Sequence, residues 1–515
     1  MQVDDAQDVP EGSPWTKLRS GWGPGDPRLP GAGAGEPSSM RIDVRRLVTL
    51  AMLVVLADLL FFDRSPGLSL AVFAALLAFV VRLGCGPRRV VTGDLATAAL
   101  LVLAVLPVVE LVQGLSLLFL ALGLVAATVR IGLGSGGTPR GLARGMMIFV
   151  QNFPAVSASG ALGGSRWAAR SGRDATPLRS LARTWLLPGA AGLVLVALLL
   201  AANPILSLWA AELRDLPLHP EAALRHVMFW IVAGLLLWPF VALAADRRWL
   251  GRTNLTSVVP TTTAWPVWVN DTSIRNSLVL FNLLLGVQTL LDLGYLWGGI
   301  ELPDGVTPAQ YAHRGAYPLV ATALLAGAFA LVSQSFVYGR GWLRLLLGLW
   351  IAQNILLVIS ALLRLDLYVF AFGLTRLRLA AGIWMALVAG GLVLTAWQIW
   401  RGRSNGWLLG RVAVMAGLVL YLCCFLNVAD VVARVNLDRF ERMGALDRDY
   451  LCNLGPGAGP AIRTFEARSG ADLCDMVWDR SLMAPAPQDW RDWGFRNWRL
   501  RRYVEAARAS QESSR

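Results

Sequence analysis

Apolar stretches of about 20 residues recur along the chain, and this repetition constrains the fold more than any other feature of the sequence. A helix of that length crosses the roughly 30 Å hydrocarbon core of a bilayer. About eleven such stretches occur, with the approximate bounds 47–62, 67–83, 95–113, 115–129, 185–203, 226–245, 277–297, 318–338, 343–363, 379–400 and 411–429. The pattern predicts an all-α fold, a polytopic transmembrane helical bundle in a lipid bilayer.

The composition supports this class and excludes several functions. Hydrophobic residues make up 55% of the chain and charged residues 16%, and the mean hydropathy is +0.53. Lys17 is the only lysine among 47 basic residues, so the chain has no P-loop lysine for nucleotide phosphates and no buried amine for a Schiff base. The formal net charge of +13 comes from arginine. We attribute this excess to the codon usage of a GC-rich genome and predict no nucleic-acid partner.

Three regions differ in composition. Residues 1–44 are rich in proline and glycine, which predicts a disordered cytoplasmic leader, and Met40 is a second candidate start. Residues 45–429 contain the apolar stretches and form the predicted transmembrane domain. Residues 430–515 carry 14 arginines against 13 acidic residues and form a predicted helical, extracytoplasmic tail.

Arginine collects in alternate connecting segments, as expected for the cytoplasmic side of a bacterial inner membrane. The segment 130–184 is the predicted basic cytoplasmic loop. Its arginines and its apolar run 146–150 favour contact with anionic phospholipids. With a cytoplasmic N-terminus, an odd number of spans places the C-terminus outside the cytoplasm.

Two features of the tail bear on its surroundings. Cys452 and Cys474 both lie in the predicted exported segment, where an oxidising compartment permits a disulfide between them. The alternative is two unpaired thiols in a cytoplasmic tail. The aromatic residues between 490 and 498 lie on one arc of an amphipathic helix, among arginines. Such a helix suits the outer membrane surface, and packing within the tail's own core is an equal alternative.

Polar residues inside two predicted spans mark a candidate site, because such groups are costly in a bilayer and face a partner or a cavity. In the seventh span they share an arc of about 140° of the helix. These residues are Asn282, Gln288, Thr289, Asp292 and Tyr295. The ninth span presents Gln353, Ser360 and Arg364 on one face. The segment 364–378 is too apolar for a free loop, so we expect it at the outer interface or re-entering the bilayer.

Arg364, Arg376 and Arg378 fall on the predicted outside, where arginine is uncommon, so we expect each to be paired with an acid. Asp58, Glu110 and Asp292 are the obvious partners, since they lie near the same outer ends. The candidate site is a polar cluster that either binds a ligand or stabilises the fold. Its predicted members are Asp292, Tyr311, His313, Arg314, Gln353, Arg364, Tyr368, Arg376 and Arg378.

Several sequence runs around these residues resemble a known family. They are Asp292-Leu-Gly-Tyr-Leu-Trp-Gly-Gly, Thr307-Pro-Ala-Gln-Tyr-Ala-His-Arg-Gly-Ala-Tyr-Pro-Leu319, Gln353-Asn354, Arg364-Leu-Asp-Leu-Tyr368, Gly373-Leu-Thr-Arg-Leu-Arg378 and Tyr450-Leu-Cys-Asn-Leu-Gly455. Over residues 200–465 the chain resembles the bacterial membrane family described as domain of unknown function 4173, with its sibling 4153. His313 and Phe372 depart from the family pattern, in which we expect arginine and tyrosine. The resemblance implies an integral membrane protein and no particular activity.

No sequence motif indicates a cofactor, a metal site or a catalytic centre. The three histidines His219, His226 and His313 lack the i, i+3 or i, i+4 spacing of helical metal ligands, and Gly-x-Ser-x-Gly does not occur. We therefore favour a non-catalytic sensor or an assembly partner of another envelope protein. A secondary transporter or permease is one alternative. An envelope enzyme that acts on a lipid-linked anionic substrate at the outer face is the other.

Overall fold

The computed structural model consists of helices and their connections, with no strand among the residues it describes, which confirms the predicted all-α class. The described residues are 44–85, 91–133, 138–170, 220–245, 270–298, 322, 324–333, 336–337, 340–474 and 486–513. The predicted span 185–203 lies outside them, as does the predicted leader except for Val44.

Six helices form the N-terminal half of the described chain, and each packs against the next one in sequence. They are α1 (Val44–Phe61), α2 (Leu68–Gly84), α3 (Val91–Glu110), α4 (Gly114–Leu133), α5 (Pro139–Arg170) and α6 (Pro220–Ala245). Leucine and alanine, both strong helix formers, are frequent in these segments. Their shared core contains Leu53, Leu77, Val129, Phe149 and Leu243, one from each of five helices.

A second group of helices follows, with its own core. It contains α7 (Asp271–Leu291), which continues as a π-helix (Asp292–Trp297), then α8 (Leu324–Ser333), α9 (Gly341–Phe372), α10 (Arg376–Arg401) and α11 (Asn405–Cys423). Leu278, Ala330, Leu347 and Leu392 meet in this core. The side chains of Asn270, Thr375 and Ser404 cap the N-termini of α7, α10 and α11, each by accepting a backbone N–H of the first turn.

The last part of the chain forms a small helical unit, which we call the tail domain and define as residues 428–474 and 486–513. Its elements are α12 (Val428–Met443), α13 (Arg448–Cys452), a 3₁₀ turn (Pro456–Ala458), α14 (Gly459–Ser469), a second 3₁₀ turn (Trp490–Asp492) and α15 (Phe495–Ser513). Val432, Leu451 and Ile462 form its core. The Cys452 and Cys474 sulfurs are bonded within this core, and their Cα atoms are 5.9 Å apart.

Six described helices are long and apolar enough to cross a membrane. They are Gly114–Leu133, Ala223–Leu243, Asp271–Gly294, Gly341–Phe372, Arg376–Arg401 and Asn405–Cys423. Each coincides with one of the predicted stretches, whereas the predicted total of about eleven is not confirmed. The 18-residue helix α1 is not among the six, because Arg45, Arg46 and Asp58 leave it too polar.

Large apolar side chains cover much of the outer surface of these helices. Leu290 of α7 is 71% exposed, and Leu345 of α9 and Val414 of α11 are similarly exposed. A soluble protein rarely exposes continuous apolar surface of this kind. The arrangement fits a bundle whose outer surface contacts lipid, with the polar side chains of the spans turned inward.

Helices α7 and α9 run in the same direction. Asn282, in the middle of α7, donates a side-chain N–H to the carbonyl of Leu346 near the start of α9, at 3.0 Å. Asp292, just beyond the end of α7, contacts Arg364 in the last third of α9. Gly298 and Arg340 therefore lie toward opposite ends of this helix pair.

The tail domain contacts one end of the bundle, which we call the docking end and define by the connections 62–67, 111–113, 373–375 and 424–427. The backbone N–H of Leu68 donates to the carbonyl of Trp493, at 2.9 Å. Leu374 lies between α9 and α10 and belongs to the tail-domain core. These contacts join segments that are far apart in the sequence, around residues 68, 374 and 493, at the docking end.

Most of the predicted cytoplasmic loop 130–184 is described, and residues 139–170 of it form the 32-residue helix α5. In the apolar run 146–150, Ile148 and Phe149 are buried in the bundle core. Met147 and Val150 are exposed on the other side. The run is therefore part of a packed helix, and contact with anionic lipid remains a prediction for its exposed face alone.

The segment 364–378 is helical as far as Phe372. We expected it to lie at the outer interface or to re-enter the bilayer; α9 continues without a break to Phe372, so these residues do not re-enter, and a position at the outer interface stays a prediction. Gly373 ends the helix with φ +79°, a backbone conformation that glycine adopts without steric cost. The long apolar run after Arg364 therefore forms the last two turns of α9.

Candidate functional site

The candidate site begins where α7 changes from an α-helix to a π-helix. The α-helix ends at Leu291, and residues Asp292–Trp297 form a single turn of π-helix. Such turns are rare and often occur at functional sites, because the extra residue redirects the side chains that follow. The change places Asp292 and Trp297 on the side that faces α9.

Asp292 and Arg364 form a buried ion pair between α7 and α9. Each side chain is 4% exposed. An N–H of the Arg364 guanidinium donates to Oδ1 of Asp292, and the same oxygen accepts an N–H from the Gln288 side chain at 2.9 Å. Opposite charges at membrane depth are costly when separated, and pairing together with hydrogen bonding lowers that cost.

Further polar contacts continue along the same interface. The Gln353 amide donates to the carbonyl of Asn282 at 3.3 Å, and the Trp297 indole donates to the Ser360 hydroxyl at 3.3 Å. We use the name polar seam for the contacting set Asn282, Gln288, Asp292, Trp297, Gln353, Ser360 and Arg364. The described cavity beside Asp292 and Ser360 measures about 10 Å³, which is at the lower limit for one water molecule.

The ion pair lies near the edge of the apolar layer. At 1.5 Å per residue, Arg364 is about 35 Å along α9 from Gly341, and Asp292 is about 32 Å from Asp271. Both distances match a hydrocarbon core of about 30 Å. The charges therefore lie close to the docking end of the bundle, below the tail domain.

Among the described residues, the other two predicted arginines contact no acidic side chain, and the expected pairing with Asp58 or Glu110 is wrong. Arg376 donates a side-chain N–H to the carbonyl of Leu454. Arg378 donates to the carbonyl of Phe372 at 3.1 Å and to that of Gly373. For Arg378 the acceptors are the last carbonyls of α9, which lack intrahelical donors and carry negative partial charge, so they take the place of a carboxylate. Tyr368 contributes its ring, 4.4 Å from the Arg378 guanidinium.

Two tail-domain residues that bind the end of α9 and the connection 373–375, which we call the corner, were not predicted from the sequence. Asn436 of α12 accepts the N–H of Leu374 at 2.7 Å and donates to its carbonyl at 2.8 Å. Arg439, one turn later, donates to the carbonyls of Phe370 and Ala371, each at 2.7 Å. Neither residue lies in an apolar span, and no spacing in the sequence connects them with α9.

A second buried ion pair joins the C-terminal helix to the bundle. Arg496 of α15 donates to Glu110, the last residue of α3, at 2.9 Å, and both side chains are less than 10% exposed. The same guanidinium donates to the carbonyls of Cys424 at 3.1 Å and Leu426 at 3.3 Å. Asp58, the remaining proposed partner, accepts instead from the indole of Trp230 at 3.1 Å.

Three predicted members of the cluster, Tyr311, His313 and Arg314, lie outside the described residues. Asp292 and Arg364 contact each other, whereas Gln353 contacts Asn282 about 16 Å away along the same interface. Tyr368, Arg376 and Arg378 lie apart from both, at the connection 373–378. Within the described part of the chain, no group of three or more His, Cys, Asp or Glu residues is placed to hold a metal ion.

A cleft of about 280 Å³ opens where the C-terminal segment meets the connections 65–67 and 111–112. Gln488, Asp492, Asn497 and Arg501 contribute its polar lining. The Asp492 carboxylate accepts the backbone N–H groups of Gln488 at 2.8 Å and Asp489 at 3.3 Å, so it shapes the turn that forms one wall. The cleft is thus a consequence of how the tail domain rests on the docking end.

Comparison with known proteins gives one match. The family described as domain of unknown function (DUF4153) matches residues 94–465, which is most of the chain. The chain belongs to this family. The match is to the sibling named above, not to family 4173, and it begins about a hundred residues earlier than the resemblance seen in the sequence. No curated protein and no solved structure matches the chain.

This DUF4153 protein contains the polar seam, the corner and Glu110 within the matched region. Arg496 lies beyond it, in the C-terminal helix. The matched region runs from α3 into α14, so α1, α2 and α15 lie outside it.

Proposed function

We propose that this DUF4153 protein is a non-catalytic sensor or assembly partner in the bacterial envelope. In this proposal the tail domain recognises another envelope component, and α9 connects the tail domain with the polar seam. One observation carries the proposal: the same helix holds Arg364 in the seam and, two turns later, the carbonyls to which Arg439 of the tail domain donates.

The geometry of α9 gives this connection a physical basis. A helix transmits displacement along its axis because its backbone hydrogen bonds resist compression and bending, and coupling between sites needs such a contiguous element. Arg439 and Asn436 fix the end of α9 to α12. Movement of α12 therefore changes the position of Arg364 relative to Asp292, which lies on a different helix.

The contacts within the seam favour this role over catalysis. Arg364 and Gln288 both donate to Asp292, and the adjoining cavity of about 10 Å³ does not admit a substrate. A general acid or base has to reach the substrate within hydrogen-bonding distance. In this arrangement Asp292 and Arg364 bind each other and do not face a substrate site.

The test is complementation of a strain that lacks the gene, scored by recovery of the envelope complex that the deletion strain loses. Arg439→Ala removes two bonds to α9 and should lose function while the protein is still produced and inserted. Arg442→Ala is the matched control, because it lies one turn away on α12 and its partner Asp438 is exposed as well. Equal function of both variants would contradict the proposal.

The same strain separates the alternatives. An enzyme acting on a lipid-linked substrate predicts that this substrate accumulates in the deletion strain, and a permease predicts altered solute content. A non-catalytic role predicts that neither change occurs. It predicts instead that an envelope complex is lost in the deletion strain. Accumulation of one lipid-linked precursor that the full chain reverses would replace our proposal with the enzyme.

A secondary transporter is the second candidate, and one observation favours it. The π-helix begins at Asp292, in the middle of the polar seam, and transporters often bind their substrates where a spanning helix is interrupted. Thr289 lines the small cavity beside the pair. Alternating access predicts that this position becomes accessible to water from one side in part of the population.

Thiol labelling distinguishes the two. Thr289→Cys is placed in a chain whose free cysteines Cys85, Cys423 and Cys424 are replaced by serine. A membrane-impermeant maleimide should leave the position unlabelled if the seam is a closed structural contact. Labelling from either side, at a rate comparable with an exposed site such as Asp438→Cys, would favour transport.

We also propose that the chain is a multi-pass protein of the inner membrane with its N-terminus in the cytoplasm and its tail domain outside. The arginine distribution supports this orientation. Reporter fusions after Arg401 and after Arg515 should report opposite sides of the membrane. The same activity at both positions would reverse the assignment of the tail domain.

A further inference from the structure

The C-terminal helix α15 buries an arginine and exposes aromatic side chains, which is unusual for a helix in water. Arg496 is 5% exposed and Leu500 is 8% exposed, whereas Trp498 is 40% exposed and Phe495 37%. An amphipathic helix in a soluble domain turns its aromatic residues inward and its arginines outward. Burial of Arg496 is explained by Glu110 and two carbonyls. The exposure of the aromatic rings needs a separate explanation.

The exposed rings are organised together with arginines. Phe495 and Trp498 stack with ring centroids 5.7 Å apart. Arg499 lies 5.4 Å from the Phe495 ring and Arg502 lies 6.0 Å from the Trp498 ring. Trp490, which is also exposed, has Arg491 at 5.7 Å. We use the name aromatic–arginine face for Trp490, Arg491, Phe495, Trp498, Arg499 and Arg502.

The acidic groups near this face leave it basic. Arg491 contacts Asp489 at 3.0 Å, and Arg499 contacts Glu110 at 3.4 Å, while Glu110 is shared with Arg496. Glu505 is on the same side of α15 as Arg502, two turns from Trp498. Asp489 is also shared with Arg64, and Asp492 lies beside Arg491. Five arginines (Arg64, Arg491, Arg496, Arg499 and Arg502) therefore stand against four acids (Asp489, Asp492, Glu110 and Glu505), and the surface keeps a small net positive charge.

The position of α15 continues the apolar surface of the bundle. Its first turn is fixed to the carbonyls of Cys424 and Leu426, directly after α11. The end of α11 exposes Leu418 and Leu422. Where such an apolar surface ends, a membrane protein meets the headgroup layer, in which tryptophan and arginine are both favoured.

We infer that the aromatic–arginine face of α15 binds the phospholipid headgroup layer of the outer leaflet, with the rings at the level of the glycerol groups and the arginines on lipid phosphates. Guanidinium groups match phosphate oxygens in bidentate geometry, and anionic headgroups add long-range attraction. The choice of the outer leaflet rests on the topology proposed above, whereas the contact itself goes beyond the proposed function, because it concerns lipid and not the envelope component that the tail domain recognises.

The test uses the full chain in nanodiscs of phosphatidylglycerol and phosphatidylcholine, compared with phosphatidylcholine alone. A nitroxide is attached at Trp498→Cys in the background without free cysteines, and its collisions with oxygen and with a water-soluble nickel chelate are measured. Asp438→Cys on α12, an exposed position of the same domain, is the control. Mass spectrometry checks that Cys452 and Cys474 stay bonded to each other in both variants.

The label at 498 should collide several-fold more with oxygen relative to nickel than the label at 438. Adding Arg502→Gln should reduce this ratio in discs with phosphatidylglycerol more than in discs without it. Equal ratios at 498 and 438 would place the face in water and overturn the inference. Protection at 498 from both reagents would also overturn it, since a protein surface would then cover the face.

Discussion

The two buried ion pairs use the same chemistry but join different parts of the molecule. Asp292 and Arg364 connect two parallel helices within the apolar layer, and Glu110 and Arg496 connect the bundle to the C-terminal helix at its docking end. The first pair is supported by the neutral side chain of Gln288, and the second by two backbone carbonyls. The comparison suggests that one pair stabilises the bundle and the other attaches the tail.

The largest expected effect comes from opening the pair within the apolar layer. Arg364→Ala leaves the Asp292 carboxylate buried without its main partner, so stability should fall by about 3–5 kcal/mol. The double variant Asp292→Leu with Arg364→Met removes both charges and should recover most of this loss. Thermal unfolding of the purified protein in detergent measures both.

The control for this prediction is function in the deletion strain. If Arg364→Ala keeps the melting temperature but abolishes complementation, the pair serves a ligand and the structural interpretation is wrong. If the double variant is as unstable as the single one, the charges do not stabilise each other. Either result would mean that the Asp292–Arg364 pair does not stabilise the bundle, and the contrast with the Glu110–Arg496 pair would no longer hold.

Removing the disulfide tests whether the tail domain can be destabilised without affecting the bundle. Cys452 and Cys474 are separated by 22 residues, and closing a loop of this length stabilises by about 3 kcal/mol in the chain-entropy account. Replacing both by serine should therefore lower the stability of the tail domain and leave the spans intact. Mass spectrometry of unreduced protein establishes the bond, and free thiols at both positions would also argue against an exported tail.

The sequence predicts the seam better than the docking end, for a physical reason. In the seam, Gln288, Asp292, Ser360 and Arg364 interrupt apolar helices, so their cost in lipid and the helical period together identify the face and the partner helix. The π-helix at Asp292 could not be foreseen, because it depends on how α7 packs against α9.

At the docking end the sequence gives no comparable signal. Asn436 and Arg439 lie in a solvated helix where polar residues are ordinary, and Glu110 and Arg496 are separated by 386 residues. Arg376 and Arg378 appeared to need acids because their acceptors are backbone carbonyls, which are not visible as a residue type. For Arg378 these carbonyls carry the partial charge of a helix terminus. The total of about eleven spans stays a prediction, because six described helices have the length and hydropathy of a span and the predicted span 185–203 lies outside the described residues.

A smaller effect is expected from weakening the second pair. Glu110→Gln keeps a side-chain acceptor for Arg496 but removes the charge, and hydrogen bonds to charged groups contribute about 1.5–3 kcal/mol. Because Arg496 keeps its two carbonyl acceptors, we expect about 2 kcal/mol, at the lower part of that range. Amide hydrogen exchange should show faster opening of α15 with unchanged protection of α9.

Glu505→Gln is the matched control for that measurement, because it removes a charge from the exposed side of the same helix. It should leave exchange in α15 unchanged. If Glu110→Gln instead lowers protection in both α15 and α9, the two ion pairs are parts of one cooperative unit. Their separate roles in the comparison would then be wrong.

The smallest effect is expected at an ion pair that is exposed. Arg434 donates to Asp430 at 2.8 Å, one turn apart on α12, and the arginine side chain is 67% exposed. Water screens such a pair, so Arg434→Ala should change stability by no more than about 0.5 kcal/mol. The measurement is the same thermal unfolding as for Arg364→Ala, in the same detergent. A loss as large as that of Arg364→Ala would mean that removal of any arginine destabilises the protein to this extent, and that burial is not what distinguishes the pair in the seam.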